Sequence, residues 1–228
     1  MNLTSQKSAK PQTAGKSKSS VRWLLIGAIP ILIGIAICVF FALKTEAQKG
    51  FLGTRMFPLK PAFDFTLTGT DSQEVRLDQF HGKIVLFIFG FTHCANICPT
   101  SLTNLAAVYQ ALTPKEQKQV QIIFVSVDPD RDKPKTLAGY VTAFDPNFIG
   151  LCGPKPVMDE VVQAYGATYE MVPGPTNLPN DYYVNHSAYA YLINPSGMWE
   201  LLYDNDKLAD VQQMVSDIRK VLRESSLH

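Results

Sequence analysis

Two hydrophobic patterns alternate along residues 61–228 and predict alternating strands and helices. Nearly unbroken apolar runs at 83–90 (KIVLFIFG) and 120–127 (VQIIFVSV) are typical of strands covered on both faces of a sheet. Residues 62–67 (AFDFTL) alternate apolar and polar side chains, as a half-buried strand does. Between the two apolar runs, residues 100–112 repeat apolar positions at the spacing of an amphipathic helix. The centre of the domain is therefore predicted to be a strand-helix-strand unit.

The remaining patterns complete an α/β domain. A four-residue turn at 194–197 (NPSG) joins two short apolar runs and suits an antiparallel hairpin, and the Pro- and Asn-rich stretch before residue 188 is predicted to be a loop. This order predicts a mixed central sheet with helices on both faces, which is compatible with the thioredoxin fold. Further strands are predicted at 74–77, 148–151, 188–193 and 198–203, and further helices at 135–144, 155–166 and 207–222.

The longest apolar run, at residues 23–43, contains no charged residue. A helix needs about 20 apolar residues to cross a bilayer, whereas the apolar core of a signal peptide has about 7–15. We therefore predict one N-terminal transmembrane helix over 23–43, with cleavage after it as the alternative. The helix separates a basic, disordered cytoplasmic tail (1–22) from a tether (44–60) and the domain (61–228).

Charge is distributed unevenly along the chain. Residues 1–49 contain seven Lys or Arg and one acidic residue, whereas residues 50–228 contain 14 Lys or Arg and 19 Asp or Glu. Because positive residues stay on the cytoplasmic side of membrane spans, the domain is predicted to be exported. We predict the bacterial inner membrane with the domain in the periplasm; the mitochondrial inner membrane, facing the intermembrane space, is the alternative. The acidic domain gives no support to nucleic-acid binding, which needs a basic surface.

Cys94 and Cys98 are separated by three residues and lie between a predicted buried strand and a helix. A helix N-terminus stabilises thiolates over thiols. A structural disulfide across so short a loop would gain little stability, and thioredoxin-type exchangers have two intervening residues rather than three. A redox couple and a metal clamp of soft thiolates both stay open. Cys38 and Cys152 are predicted to be apolar packing residues.

A metal site would need a third ligand, because two sulfurs do not complete the coordination of copper or zinc. His186 precedes a predicted strand and is one candidate, although an isolated loop histidine is more often a polar surface residue. His93 neighbours Cys94 but points the opposite way along an extended segment, so a supporting or structural role is predicted. His81 and His228 are predicted to be solvated surface.

Three sequence blocks resemble the signatures of the Sco/SenC copper proteins: FGFTHCANICPTSL (89–102), VSVDPDRDKP (125–134) and VNHSAYAYLINPSG (184–197). The resemblance spans Pro61 to Leu222, with the blocks in the family's order and spacing. That family consists of membrane-anchored, thioredoxin-fold proteins that help to deliver copper to the binuclear CuA centre of cytochrome c oxidase. The implied partners are the copper-binding subunit of the oxidase and other copper carriers or thiol–disulfide partners.

The resemblance also implies which residues bind the metal. Cys94, Cys98 and His186 match the family's ligands, and two thiolates with one imidazole suit Cu(I) in a roughly trigonal site, with additional donors for Cu(II). Asp128 is expected to support the ligands from outside the coordination sphere, with a turn-shaping role as the alternative. His93 is the other residue expected in that outer position.

Three residues depart from the family's usual pattern: Ala95 and Asn96 in the cysteine loop, and Asn185 before the histidine. The change at Asn185 removes a carboxylate that could orient His186. The three implied ligands are unaffected.

Two functions are therefore predicted. The first is a copper metallochaperone, which requires no bond-making catalysis. The second is a thiol–disulfide reductase that acts on the cysteines of the oxidase copper site. Thioredoxin-type exchangers carry a cis-proline immediately before the strand that faces the dithiol, and HSAYAYLI has no proline there. This difference counts against a general reductase.

Overall fold

The computed structural model describes residues 33–35, 37, 50–176, 178 and 181–226. The chain divides into two compact units, Met1–Gly50 and Phe51–His228. In the first unit, residues 33–35 and 37 are helical and exposed. The described residues include no helix with the length and hydropathy needed to cross a membrane. The predicted span at 23–43 lies mostly outside the described residues, and the predicted tail at 1–22 lies wholly outside them.

Ten strands and five α-helices are found in the described residues of the second unit. The strands are β1 (Thr54–Pro61), β2 (Thr66–Gly69), β3 (Glu74–Arg76), β4 (Ile84–Gly90), β5 (Val120–Ser126), β6 (Ile149–Cys152), β7 (Tyr169–Pro173), β8 (Tyr182–His186), β9 (Tyr189–Ile193) and β10 (Met198–Asp204). The helices are α1 (Ile97–Ala111), α2 (Pro114–Gln117), α3 (Pro134–Thr142), α4 (Lys155–Ala164) and α5 (Val211–Ser225), with short 3-10 helices at Leu77–Phe80 and Asn205–Ala209.

Eight strands form one mixed sheet, in the order β1-β10-β9-β4-β5-β6-β2-β3. Strands β4, β5 and β6 run parallel to one another, and the other neighbours are antiparallel. Strands β7 and β8 form a separate two-stranded sheet. Parallel neighbours need long crossover connections, and α1 supplies the one between β4 and β5.

The central strand β4 is covered on both sides. Leu86 packs in a core shared with α1, α3 and α5, whereas Phe87 packs in a second core shared with α4 and β8. Both side chains are fully buried. A strand with two buried faces must be apolar throughout, which explains the unbroken run in the sequence. The predicted mixed sheet with helices on both faces is confirmed.

Strand β1 lies within the segment that was predicted to be a tether. Residues 54–61 pair with β10 along one edge of the sheet. An edge strand pairs through its backbone and does not need a buried apolar face, so the mostly exposed sequence TRMFPLKP gives little strand signal. The strand predicted at 62–67 is also shifted: β2 begins at Thr66, and the alternation came from the buried Phe65 and Leu67.

The hairpin of β7 and β8 was predicted to be a loop. Its strands pair from Tyr169 opposite His186 to Pro173 opposite Tyr182. Most of its side chains are exposed or only partly buried, and Val184 is a buried exception. With little apolar alternation and several Pro and Asn residues around the turn, the sequence carries no clear strand pattern. The hairpin carries His186 at the end of β8.

Phe87→Ala is expected to lower the free energy of unfolding by about 3–5 kcal/mol, because the ring is fully buried and its loss leaves a cavity. The ring stacks on Tyr191 at a centroid distance of 4.9 Å and meets Tyr165 edge-on at 4.9 Å. Phe57→Ala is the control, since that ring is 96% exposed, and it should change stability by less than about 0.5 kcal/mol. Denaturant unfolding measures both; equal effects of the two substitutions would contradict the described core.

Candidate metal centre

The cysteine pair lies where the central strand gives way to a helix. Strand β4 ends at Gly90, and α1 begins at Ile97, so Cys98 is in the first turn of α1. Cys98 is buried and Cys94 is partly exposed. The backbone N–H of Cys98 donates a hydrogen bond to Cys94 Sγ at 3.4 Å. The predicted position of the pair, between a buried strand and the next helix, is confirmed.

Gly90 makes room for one of the two sulfurs. A Cβ atom at this position would lie 2.7 Å from Cys98 Sγ and 2.6 Å from Cε2 of Phe124. Real Cβ contacts are longer than this, so the buried Phe124 ring and the sulfur together require a residue without a side chain. The last residue of β4 therefore fixes how deeply Cys98 can sit.

His186 approaches the pair from the end of the hairpin. Its Nε2 atom lies 3.4 Å from Cys98 Sγ, and its Nδ1 atom lies 2.9 Å from the carbonyl oxygen of Ser187. A carbonyl only accepts, so Nδ1 carries the proton in that hydrogen bond and the Nε2 lone pair faces the sulfur. The backbone carbonyl thus orients the imidazole, which is the role expected of a carboxylate at position 185.

The three side chains converge. The Sγ atoms of Cys94 and Cys98 and a ring nitrogen of His186 all lie within 4.8 Å of one another, and neither cysteine is in a disulfide. This is the single group of three or more Cys, His, Asp or Glu side chains with metal-binding geometry in the part of the chain that the structure describes. Cysteine and histidine are ligands for soft and borderline metal ions. The group has the spacing needed to hold one metal ion.

A protein-family model described as SCO1/SenC matches residues 57–223. The chain belongs to the SCO1/SenC family. The mitochondrial SCO2 homolog of Bos taurus is 33% identical over 194 residues, which cover 81% of this chain and 72% of the relative. The resemblance seen in the three sequence blocks is therefore confirmed.

Solved structures of other family members share the fold. The solution structure of apo Sco1 from Thermus thermophilus is 41% identical, with a TM-score of 0.70, and the match covers 77% of this chain and 99% of that one. The crystal structure of Arabidopsis thaliana ScoI with copper bound is 33% identical, with a TM-score of 0.61, covering 71% of this chain and 99% of that one. Both matches agree with the mixed sheet seen here.

In this member of the family the two thiols are electrostatically unequal. A hydrogen bond from Cys98 lowers the pKa of Cys94 to about 4, with further help from the backbone N–H groups of Cys98 and Asn96. The same contact with Cys94, together with burial, raises the pKa of Cys98 well above its ordinary value. Cys94 is therefore a thiolate at neutral pH, and Cys98 retains the proton.

Two other residues predicted near the site lie outside the group of three. The ring of His93 is 56% exposed, and its Nδ1 atom lies 3.1 Å from Thr92 Oγ1. Asp128 is fully buried, but its carboxylate pairs with Arg131 and with the hydroxyl of Tyr182 rather than with a cysteine or His186.

Four other cysteine and histidine residues were predicted to have no metal-binding role. Cys152 is buried in the core, as predicted, and His81 is exposed, as predicted. Cys38 and His228 lie outside the described residues.

Asp132 supports the cysteine segment and was missed in the sequence. Its fully buried carboxylate accepts hydrogen bonds from the backbone N–H of Thr92 at 2.9 Å, from the Thr92 hydroxyl at 2.5 Å and from the Ser126 hydroxyl at 2.6 Å. Thr92 stands two residues before Cys94. The only signal in the sequence was the acidic block after β5. The sequence does not show which of Asp128, Asp130 and Asp132 points toward the cysteine segment.

Cys94 is expected to react with iodoacetamide at nearly the same rate from pH 6 to pH 8. A pKa of about 4 means that the thiolate already dominates at pH 6, so raising the pH adds little of the reactive form. An unperturbed thiol would accelerate roughly 80-fold over that interval. Residue-resolved mass spectrometry of alkylated protein measures the rate. A rate that climbs with pH as an ordinary thiol does would refute the hydrogen-bonded pair.

Gly90→Ala is expected to displace Cys98 and to lower the thermal unfolding midpoint, because the new methyl group has no room between Phe124 and the sulfur. The matched control is Gly139→Ala in α3, where a Cβ meets no atom within 4 Å and helix propensity favours Ala. Calorimetry should show a lower midpoint for Gly90→Ala and an equal or higher one for Gly139→Ala. Two unchanged midpoints would show that the sulfur is not confined by this glycine.

Proposed function

We propose that this chain is a copper-binding metallochaperone that delivers copper to the CuA centre during cytochrome c oxidase assembly. The observation that carries the proposal is the convergence of Cys94, Cys98 and His186, whose ligand atoms lie within 4.8 Å of one another. Membership of the SCO1/SenC family supports it. A family member that is 33% identical was solved with copper bound.

The ligand set favours Cu(I). Two thiolates and one imidazole provide three soft or borderline donors, and Cu(I) accepts such a trigonal set. Structural zinc takes four ligands, which the group does not supply within its own residues. Cu(II) would need additional donors or a flatter arrangement.

Unequal exposure of the two sulfurs supports transfer to a partner. Cys94 is partly exposed and already a thiolate, whereas Cys98 is buried against Gly90. A ligand from a recipient can therefore replace Cys94 or His186 first, and the ion is released from the buried sulfur last. Stepwise ligand exchange of this kind needs no catalysis of bond formation. The recipient we propose is the copper-binding subunit of the oxidase.

We also propose that the domain is anchored by residues 23–43 in a bacterial inner membrane and faces the periplasm. The uncharged apolar run and the basic segment before it support this placement. Relatives come both from a bacterium, Thermus thermophilus, and from mitochondria, so the mitochondrial inner membrane is the alternative.

A thiol–disulfide reductase acting on the same oxidase cysteines is the second candidate. It is favoured by the free thiols and by the lowered pKa of Cys94 beside the protonated Cys98, which is the asymmetry that an attacking thiolate and a resolving thiol require. Against it, the residue before β9 is Ala188 rather than a proline.

Anaerobic Cu(I) titration of the purified full-length chain tests the chaperone proposal. We expect one Cu(I) per chain, with two sulfur donors and one nitrogen donor in the X-ray absorption spectrum. Cys94→Ala and Cys98→Ala should each lower the affinity by more than the roughly 100-fold that loss of a supporting contact costs, because each removes a ligand. His81→Ala and Cys152→Ala are matched controls away from the group and should leave the affinity unchanged. A site without sulfur donors would refute the proposal.

His186→Ala separates the two functions. It removes the imidazole ligand and should weaken Cu(I) binding at least about 10-fold. The Cys94 and Cys98 thiols remain, so reduction of a disulfide in a peptide that carries the oxidase cysteine pair should be preserved if the chain is a reductase. If His186→Ala no longer bound copper but the oxidase still acquired copper normally during assembly, the chaperone function would be excluded and the reductase function would remain.

A further inference from the structure

A buried ion pair follows strand β5, close to the metal centre. Asp128 is fully buried, and the Arg131 side chain is only 13% exposed. Arg131 Nε donates to Asp128 Oδ2 at 2.5 Å, and the Tyr182 hydroxyl donates to Asp128 Oδ1 at 2.6 Å. A buried carboxylate is tolerated only when its oxygens are satisfied, and here both are. One of its two partners, Tyr182, belongs to strand β8.

Arg131 contacts the hairpin directly as well. Its Nη1 atom donates to the carbonyl oxygen of Tyr182 at 3.0 Å, and the guanidinium carbon lies 3.7 Å from the centroid of the Tyr182 ring. The same guanidinium lies 5.7 Å from the ring of Phe91, which in turn meets the His186 ring edge-on at a centroid distance of 5.7 Å. Arg131 is therefore packed between the hairpin and the segment that leads to the cysteines.

The contacts continue to the cysteine segment through β5. The backbone N–H of Asp128 donates to Ser126 Oγ at 3.1 Å, and the Ser126 hydroxyl donates to Asp132. Asp132 holds Thr92, two residues before Cys94. One continuous set of buried and partly buried hydrogen bonds therefore joins the strand that carries His186 to the turn that carries Cys94.

The hairpin depends on such contacts because it is not part of the main sheet. Strands β7 and β8 pair only with each other among the described strands. An isolated two-stranded hairpin is marginally stable in water. Val184 in the core and the hydrogen bonds between Thr168 and Ser187 hold other parts of it. Tyr182, at the other end of β8 from His186, is held by Asp128 and Arg131.

We propose that Arg131 and Tyr182 are positioning residues for the metal centre: with Asp128, they clamp β8 against the end of β5 and so keep His186 within reach of the cysteines. This inference rests on the proposed copper site for its consequence, but its geometric content concerns the metal-free protein as well. Loss of the clamp leaves Cys94, Cys98 and His186 in the sequence but no longer keeps His186 close to the two cysteines. Removing a supporting partner of a metal ligand typically lowers metal affinity 10–100-fold.

The most specific single change is Tyr182→Phe. It removes the hydroxyl group that donates a hydrogen bond to Asp128 and keeps the ring that packs against the Arg131 guanidinium. We expect it to lower Cu(I) affinity about 10-fold in competition titrations. Tyr183→Phe is the matched control, because Tyr183 is the neighbouring residue of β8 and is 62% exposed; it should leave the affinity unchanged. Arg131→Met tests the contribution of the positive charge. It is expected to lower the free energy of unfolding, because the buried Asp128 carboxylate then has no cationic partner.

A double-mutant cycle separates positioning from general destabilisation. If Tyr182 acts through His186, Tyr182→Phe should weaken Cu(I) binding in the wild-type background and have no further effect in His186→Ala. Equal weakening in both backgrounds would overturn the proposal, as would an unchanged affinity in the wild-type background. The nitrogen donor should also weaken or vanish from the X-ray absorption spectrum of Tyr182→Phe.

A copper-free measurement keeps this inference separate from the proposed function. In protein labelled with 15N-histidine, the ring signals of His186 report its contact with Phe91 and Cys98. Tyr182→Phe should shift or broaden those signals, and Tyr183→Phe should not. If wild-type protein binds no copper but Tyr182→Phe still moves the His186 signals, the proposed function fails and the clamp stands. If Tyr182→Phe leaves the signals unchanged, the clamp is wrong.

Discussion

The candidate metal centre depends on the contact between a hairpin outside the main sheet and the turn that begins a helix. The position of the cysteines is set by chain connectivity, because they follow the central strand β4 directly at the start of helix α1. His186 has no such constraint, since it ends a strand that pairs only with its hairpin partner among the described strands. Its 3.4 Å approach to Cys98 is therefore a property of tertiary packing.

The two sulfurs differ in burial and in proton affinity. Gly90 and Phe124 enclose Cys98, which keeps its proton, while Cys94 lies nearer the surface and loses its proton at low pH. A pair with these unequal properties can hold a soft ion from one protected side and exchange it from the other. The same inequality suits thiol–disulfide exchange, which is why the two proposed functions share one site and differ in their need for His186.

Two buried aspartates, which do not themselves contact Cys94, Cys98 or His186, bind the segments that carry these residues. Asp132 is bound to Thr92 in the cysteine segment, and Asp128 is bound to Arg131 and Tyr182. Both carboxylates are fully buried and hydrogen-bonded, so each would be costly to leave without its partners. The acidic block after β5 thus connects the segment that carries Cys94 with the strand that carries His186.

The sequence alone determined the mixed α/β sheet, the place of the cysteine pair and the family, because unbroken apolar runs, helical periodicity and short blocks are local properties of the chain. It predicted a tether at residues that form β1 and a loop at residues that form β7 and β8, since an edge strand and an exposed hairpin bury too little apolar surface to leave a pattern. The residues alone left His186 as one candidate for a third ligand, which only the family resemblance singled out, and they did not indicate that Asp132 bonds to Thr92 in the cysteine segment. Those choices belong to tertiary structure, because distances between residues 88 positions apart are set by packing and by buried hydrogen bonds that no local pattern records.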